Sequence, residues 1–161
     1  MAKKKRSQKN KSMGRIYHKN TEVDGIKFDS QTESEYYEYL KGRDDIERFE
    51  MQQEFVLQNK FLLVDGKRID ESDKDFKKLQ RANPGCTVRD IKYIADFVVY
   101  YKDGTVQVVD VKGQKTADFK IKEKMFNYMY PEYNGLYCVA KHKGEWLDYN
   151  VVQKLKNKKK K

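Results

Sequence analysis

The sequence predicts an α/β fold in which a mixed β-sheet is flanked by helices. Three observations support this prediction. Extended, mostly apolar runs at 91–101 and 105–112 are separated by a short turn, as expected for two neighbouring strands. The segments 29–42 and 116–130 each combine helical spacing of apolar residues with a capping residue at the start. A further segment, at 46–58, has the length of a long strand.

Both predicted helices have recognisable ends. Ser30 is a candidate N-cap with Glu33 three residues later, which is the spacing of a capping box, and Gly42 suits the C-terminal end. Thr116 is the candidate N-cap of the second helix, and Pro131 lies just beyond its last turn. We therefore expect the helices to begin and end close to these residues.

The remaining segments complete one domain over 16–149, within a chain of 161 residues that is long enough for a single core. Hairpins are predicted at 21–28 and at 135–149, each with a glycine in its turn. Residues 59–88 are charged and irregular apart from a short helix near 72–82, and we interpret them as an insertion.

The positive charge of the chain is concentrated at its two ends. The net charge is +10, but residues 1–15 hold seven Lys or Arg and no acid, and residues 150–161 hold six Lys and no acid. Residues 16–149 hold 22 basic and 25 acidic side chains. We interpret the ends as flexible basic arms that add salt-dependent affinity for nucleic-acid phosphates. The alternative is that they are disordered ends that only keep the protein in solution.

Several classes of protein are disfavoured by the sequence. No apolar stretch approaches the length of a membrane span, and no signal-peptide core follows the basic start. The cysteines and histidines lack the spacing of a disulfide framework or a zinc site; they are Cys86, Cys138, His18 and His142. We expect a soluble protein of a reducing compartment.

Three ionisable residues, Asp96, Asp110 and Lys112, interrupt the two apolar strands. Strand alternation places Asp110 and Lys112 on one face, and Asp96 on a face with Ile94 and Val98. In a hairpin, we expect Asp96 some way along from Asp110, with the twist of a shared edge bringing the two together. Burying unpaired carboxylates is costly, but a divalent cation such as Mg²⁺ between them makes it tolerable. The alternative is a structural Asp–Lys ion pair at the end of a strand.

The first predicted helix supplies a third carboxylate. Glu33, Tyr36, Tyr37 and Leu40 follow the spacing of one helix face, so Glu33 lies on the stripe that is expected to face the core. Its side chain could also serve the capping box, and the two roles are compatible.

The ordered set of Glu33, Asp96, Asp110 and Lys112 resembles the core of the PD-(D/E)XK nuclease superfamily. The longer runs resemble small phage-encoded proteins that are grouped as a domain of unknown function and are suspected to be Holliday-junction resolvases. These runs are "VDGIKFDSQTESEYY", "YIADFVV", "VVDVKGQKT" and "IKEKMFNYMYP". The resemblance covers about residues 16–140, apart from 59–88.

The resemblance implies a restriction-endonuclease-like core and a role for each residue. Asp96 and Asp110 would bind Mg²⁺, with Mn²⁺ as a substitute, and Glu33 would support them directly or through water. Lys112 would act at the nucleophilic water. Three further residues are candidates for support or DNA contact: Gln53, Lys115 and Lys122. The sequence departs from the superfamily pattern in having Ala95 where proline is usual, and in having Asp at 110 where many members have Glu.

The function that the resemblance implies is a metal-dependent, structure-selective DNA endonuclease. It would act as a homodimer on branched DNA, as a phage Holliday-junction resolvase in the cytoplasm of a bacterial host. Two alternatives stay open. One is a nicking or flap-type nuclease of phage replication or packaging. The other is a non-catalytic nucleic-acid-binding protein that works through its basic arms.

Overall fold

The structure, a computed structural model, describes residues 21–158. The strands are β1 (Thr21–Val23), β2 (Ile26–Phe28), β3 (Ile46–Gln58), β4 (Phe61–Val64), β5 (Lys67–Asp70), β6 (Thr87–Val88), β7 (Ile91–Tyr101), β8 (Val106–Val111), β9 (Tyr137–His142) and β10 (Glu145–Asp148). The helices are α1 (Gln31–Lys41), α2 (Phe76–Ala82), α3 (Ala117–Met129) and α4 (Tyr149–Lys158), with a 3₁₀ turn at Pro131–Tyr133. The predicted α/β class is confirmed.

A five-stranded sheet with the order β10-β9-β8-β7-β3 forms the centre of the fold. All its neighbours are antiparallel except β8 and β9, which are parallel. A parallel pair needs a crossover connection, and α3 lies in the segment that provides it. The sheet is therefore mixed, as predicted, and its central strand β8 leads directly into α3.

Helices cover both faces of this sheet. On one face, Phe119 and Phe126 of α3 pack in a cluster that includes Val108. On the other face, Tyr36 and Leu40 of α1 pack in a cluster that includes Val109. Because neighbouring residues of a strand point to opposite faces, Val108 and Val109 place the two helices on opposite sides. The strand β8 is thus buried from both sides, which explains its continuous apolar run.

The predicted helix ends are confirmed. The Ser30 side chain accepts a hydrogen bond from the Glu33 N–H, and the cap at the other end of α1 is Gly42. The Thr116 side chain accepts one from the Phe119 N–H at the start of α3. The final hairpin turns at Lys143 and Gly144, between β9 and β10.

The segment 59–88 is more ordered than the sequence suggested. Instead of an irregular insertion, it forms a three-stranded sheet with the order β5-β4-β6. The helix α2 lies between β5 and β6 in the chain and confirms the predicted short helix near 72–82. Leu62 of β4 and Phe76 of α2 are buried. Short strands and charged turns concealed this small unit, because each strand alone has too few apolar residues to show an alternation.

The prediction of a flexible C-terminal arm from residue 150 onward is wrong as far as residue 158. These residues belong to α4, whose Val152 side chain is completely buried. The lysines of the segment hid this helix, because a Lys-rich composition is typical of disordered ends. The predicted basic tail at 1–15 and residues 159–161 lie outside the described residues. Between residues 21 and 158, no helix is long and apolar enough to cross a membrane.

Replacing Val152 with alanine is expected to lower the free energy of unfolding by about 2 kcal/mol, because it removes two buried methyl groups and leaves a cavity. The neighbouring Val151 is 44% exposed and offers a matched control. Urea unfolding of both alanine variants measures the difference. Equal stabilities would show that α4 does not pack against the body of the protein.

Candidate active site

A sharp twist in the long strand pair β3–β7 creates the geometry of the site. Gln52 has a left-handed φ of 52°, and the strand pairing includes Met51 with Phe97 and Gln53 with Ala95 but omits Gln52. Ala95 packs in the cluster under α3, whereas Phe97 packs in the cluster under α1. The normal alternation of the strand is therefore interrupted at the residue between them, which is Asp96.

Asp96 lies where β7 and β8 separate. Their ladder ends at the pair Phe97 and Val109, so the next residues in the same register are Asp96 and Asp110. There the Asp96 side chain continues the contact between the strands, because its Oδ2 accepts a hydrogen bond of 2.7 Å from the Val111 N–H. The prediction that Asp96 lies some way along from Asp110 is therefore wrong, and no shared edge is involved because β7 and β8 are interior strands of the sheet.

The prediction that Asp96 shares a regular face with Ile94 and Val98 is also wrong. Ile94 is exposed, whereas Val98 is buried together with Tyr93 and Ala95. The cluster is therefore contacted by odd-numbered residues before Asp96, namely Tyr93 and Ala95, and by the even-numbered Val98 after it. The twist explains the error, because strand alternation holds only along an uninterrupted strand.

Asp110 is the most deeply buried carboxylate of the site, with 1% of its side chain exposed. Its Oδ1 accepts a hydrogen bond of 2.6 Å from the Tyr93 hydroxyl. Its Oδ2 lies 2.8 Å from Nζ of Lys112, whose side chain is 28% exposed, yet this oxygen receives no hydrogen bond of good geometry. One oxygen of Asp110 is therefore fixed by the protein, and the other faces a cation.

The two aspartates share an unfavourable electrostatic environment. Burial, and then the charge of Asp110, raise the pKa of Asp96 to about 7 from its ordinary value of 3.8. Burial also raises the pKa of Asp110, although Lys112 and the Tyr93 hydroxyl oppose this shift. Burial lowers the pKa of Lys112, but the Asp110 and Asp96 carboxylates outweigh it and leave the pKa raised. Lys112 is therefore a cation at neutral pH.

Glu33 reaches the same site from the start of α1. Its Oε1 accepts a hydrogen bond of 2.7 Å from the Ser30 hydroxyl, so the cap and the site share this side chain. Glu33 lines a small cavity of about 120 Å³ together with Asp96. It also lines an open cleft of about 1400 Å³ together with Asp110 and Lys112. The four residues singled out in the sequence thus border two adjoining concavities.

The three residues expected to give support or contact DNA have different positions. Lys122 lines the open cleft, where its Nζ lies 3.6 Å from Asp118. Gln53 pairs with Ala95 across the strands, and its buried Oε1 has no hydrogen-bond partner. Lys115 is only 8% exposed and forms an ion pair of 2.6 Å with Glu123. Its position fits support better than contact with DNA.

Two residues that the sequence analysis missed hold the site in place. Tyr93 orients Asp110, and the Tyr149 hydroxyl accepts a hydrogen bond of 3.2 Å from the Lys115 N–H. The second contact ties the start of α4 to the loop that follows Lys112. An aromatic residue in an apolar strand is ordinary core material, so no signal in the sequence distinguished Tyr93 from its neighbours.

The site does not contain a complete set of protein ligands for a metal. Among residues 21–158, no group of three or more His, Cys, Asp or Glu side chains is arranged to hold an ion. What the structure brings together is the pair Asp96 and Asp110, with Lys112 beside Asp110 and Glu33 across the cavity. Such an arrangement can polarise or orient a bound phosphate or water, and it offers two carboxylates to a hard cation.

If Asp96 and Asp110 hold a divalent cation, removing the Tyr93 hydroxyl is expected to weaken its binding by about tenfold, which is the lower end of the effect of losing an outer-shell partner. Tyr93→Phe leaves the ring in its aromatic cluster but frees Oδ1 of Asp110. Tyr130→Phe is the matched control, since Tyr130 packs against the same cluster and donates only to the Val56 carbonyl, at 3.0 Å. Calorimetric titration with Mn²⁺ measures both variants. Equal affinities would assign the Tyr93 hydroxyl a purely structural role.

The architecture and the site together define a mixed α/β protein with an acidic, lysine-containing site at the edge of a cleft. The chain belongs to the family described as "Protein of unknown function (DUF1064)", whose model matches residues 13–145. No curated protein and no solved structure matches the chain.

Proposed function

We propose that this protein is a Mg²⁺-dependent, structure-selective DNA endonuclease with a restriction-endonuclease-like core. The observation that carries the proposal is the meeting of Asp96, Asp110 and Lys112 where β7 and β8 separate, at the border of an open cleft. The order of elements supports it further. A helix bearing Glu33 precedes the β7–β8 hairpin, and a crossover helix and a parallel strand follow it.

The available donors fit a hard divalent cation. Asp96 and Asp110 provide carboxylate oxygens, which are the ligands that Mg²⁺ prefers, and Mg²⁺ usually keeps several waters. Oδ2 of Asp110 is buried without a hydrogen bond of good geometry, and burial, followed by the charge of Asp110, raises the pKa of Asp96. Glu33 would support these ligands through water. When bound, the cation would supply Lewis-acid polarisation of the phosphate and neutralisation of developing charge.

Lys112 has the position and the charge to act on the nucleophile. Because the neighbouring carboxylates raise its pKa, its role would be to orient an attacking water and to stabilise negative charge on the phosphate, not to remove a proton. Part of the side chain is exposed to the cleft, so it can exchange its contact with Asp110 for a contact with substrate.

The proposed substrate is branched DNA, such as a Holliday junction, and the proposed assembly is a homodimer. Resolving a four-way junction requires two coordinated cuts, and a two-fold symmetric dimer supplies two equivalent active sites. The lysines at the cleft, Lys92 and Lys122, form solvent-accessible ion pairs with neighbouring carboxylates and would exchange these for contacts with phosphates. The proposed setting is the bacterial cytoplasm during phage infection.

Cleavage of a labelled four-way junction beside a linear duplex tests the proposal. Wild type and Asp110→Asn are compared in Mg²⁺, in Mn²⁺ and in EDTA, with binding recorded in Ca²⁺. We expect symmetric, metal-dependent cuts in the junction, a loss of at least about 10³-fold in the variant, and retained binding. Equal cutting of both substrates would point to a nicking or flap-type nuclease. Binding without cutting in any metal would favour the non-catalytic alternative.

A further inference from the structure

The small unit formed by residues 59–88 differs in charge from the rest of the domain. It contains seven basic and five acidic side chains, whereas the remainder of residues 16–149 contains 15 basic and 20 acidic ones. Positive charge is therefore concentrated in this unit, while the rest of the domain is acidic. Clustered basic side chains are typical of nucleic-acid-binding surfaces.

Three of the seven cations of this unit lie on one face of α2. Lys77, Lys78 and Arg81 are all exposed, and the spacings of three and four residues place them side by side on the helix. The opposite side of α2 carries Phe76, which is buried, and Leu79, which is partly buried. Packing therefore fixes the direction in which the three cations point.

These three cations are not neutralised by the protein. Within residues 21–158, none of Lys77, Lys78 and Arg81 forms an ion pair or a side-chain hydrogen bond, and Asp73 and Asp75 lie before the helix. Of the other cations of the unit, Lys67 and Lys74 are also exposed and unpaired within the described part of the chain, whereas two are paired. Lys60 contacts Glu71 at 2.7 Å, and Arg68 contacts Asp70 at 2.6 Å. The α2 face thus presents to an external anion three adjacent cations that are unpaired among the described residues.

The unit is joined to the strands that line the cleft. It connects the end of β3 to the start of β7, and the side chain of Gln58 donates a hydrogen bond of 3.5 Å to the Arg89 carbonyl across this junction. Lys92, Tyr93 and Ile94 of β7 line the cleft. From Asp96 back to Ile91, the strand spans roughly 17 Å at about 3.3 Å per residue, which is about the rise of five base pairs.

We propose that Lys77, Lys78 and Arg81 of α2 bind the phosphate backbone of a DNA arm outside the cleavage site. This inference rests on the proposed function of the cleft. The contacts would be independent of base sequence, because exposed lysine and arginine side chains on one turn of a helix reach phosphates as point charges. The unit would thereby fix the direction in which one arm of a branched substrate leaves the active site.

The test compares two triple variants in equilibrium binding to a fluorescent four-way junction in Ca²⁺, over a series of salt concentrations. One variant is Lys77→Gln, Lys78→Gln and Arg81→Gln. The control removes three exposed lysines of the main domain: Lys102→Gln, Lys124→Gln and Lys143→Gln. We expect the α2 variant to reduce the slope of log affinity against log salt by about two to three, as loss of three phosphate contacts requires, and the control by less than about one. Hydroxyl-radical footprinting should show protection lost at one end of the footprint in the α2 variant only.

The outcomes separate this inference from the proposed function. If wild type cuts junctions while the α2 variant keeps the slope and the footprint of the control, the inference is overturned and the nuclease stands. If the α2 variant shows the expected losses but wild type cuts no DNA in any metal, the inference is supported and the nuclease is not. Since all three side chains are exposed, equal thermal melting curves are expected for both variants and confirm that the fold is intact.

Discussion

In the proposed nuclease, replacing Lys112 with methionine is expected to slow DNA cleavage by about 10²–10⁴-fold, the range found when a group that assists proton transfer or charge stabilisation is removed. Divalent-cation binding is expected to remain at least as tight as in wild type. The physical reason is that Lys112 occupies Oδ2 of Asp110, at 2.8 Å, where it competes with an added cation. Its removal abolishes this repulsion together with the charge that acts on the phosphate.

The variant should fold, because methionine preserves the aliphatic stem of Lys112, whose Nζ lies 4.9 Å from the centre of the Phe119 ring. Breaking a buried ion pair by removing one partner can cost several kcal/mol. Here the cost is limited because Asp110 keeps its bond from Tyr93 and can take up a proton instead. We expect its pKa to rise further, so assays are best made well above neutral pH.

Single-turnover cleavage and calorimetric binding of Mn²⁺ measure the two expected effects. Lys122→Met is the matched control, because Lys122 lines the same cleft but lies 3.6 Å from Asp118 instead of contacting the site aspartates. It should reduce DNA affinity and leave the rate of the bound complex within about threefold. Cleavage by Lys112→Met at the wild-type rate would show that the Asp110–Lys112 contact is only a structural ion pair.

The parts of the fold that follow from local rules could be predicted from the sequence. Ser30 and Thr116 fix the helix starts through their own side-chain hydrogen bonds, and the β7–β8 hairpin follows from two apolar runs around one turn. Charged residues within such runs also marked Asp96, Asp110 and Lys112 as exceptional, since an ionisable group in a buried strand needs a partner. Local patterns were therefore enough to select the candidate site residues.

The arrangement of the site depends on features that the sequence conceals. The twist at Gln52, which has a left-handed φ of 52°, reverses the strand faces around Asp96. Glutamine has no special preference for this conformation, so the sequence does not predict the twist. The bond from Tyr93 to Asp110 joins residues 17 positions apart, so it depends on how β7 and β8 pair. The helix α4 was not predicted because its segment is rich in lysine and only one of its residues, Val152, is buried.

Replacing Asp96 with asparagine is expected to stabilise the metal-free protein above pH 7 while abolishing the proposed DNA cleavage. Asparagine has nearly the same shape and can still accept the hydrogen bond from the Val111 N–H, which Asp96 accepts at 2.7 Å. It carries no charge, so it removes the cost of holding an ionised carboxylate beside Asp110. The loss of a proposed metal ligand should reduce cleavage by at least about 10³-fold.

The direction of the pH effect follows from the raised pKa of Asp96, about 7 in the folded protein against an ordinary value of 3.8. The folded state holds this proton more tightly than the unfolded state does, so the contribution of Asp96 to stability is largest below about pH 4 and is lost as the pH rises through about 7. A full shift of this size corresponds to about 4 kcal/mol. We expect about half of that, because the carboxyl is partly accessible to solvent.

Thermal unfolding between pH 4 and pH 8 measures the effect, and a gain of about 2 kcal/mol corresponds to roughly 4–8 °C in Tm for a chain of this size. Asp103→Asn serves as a control of opposite sign, because the Thr105 N–H lowers the pKa of this exposed carboxyl and stabilises its ionised form. Part of the pH dependence should remain in Asp96→Asn, since burial also raises the pKa of Asp110.

The same melting curves recorded with added Mg²⁺ connect this electrostatic cost to function. A cation that binds only the folded state raises Tm by mass action, so wild type should gain stability at pH 8 and Asp96→Asn should gain much less. A pH-dependent stability that is identical in both proteins would mean that Asp96 is not strained by its neighbours. Stabilisation of both proteins by Mg²⁺ to the same extent would place the cation elsewhere. The pH dependence of stability therefore tests the electrostatic cost of the carboxylate pair, and the effect of Mg²⁺ on melting tests the proposed metal site, both on the same variant.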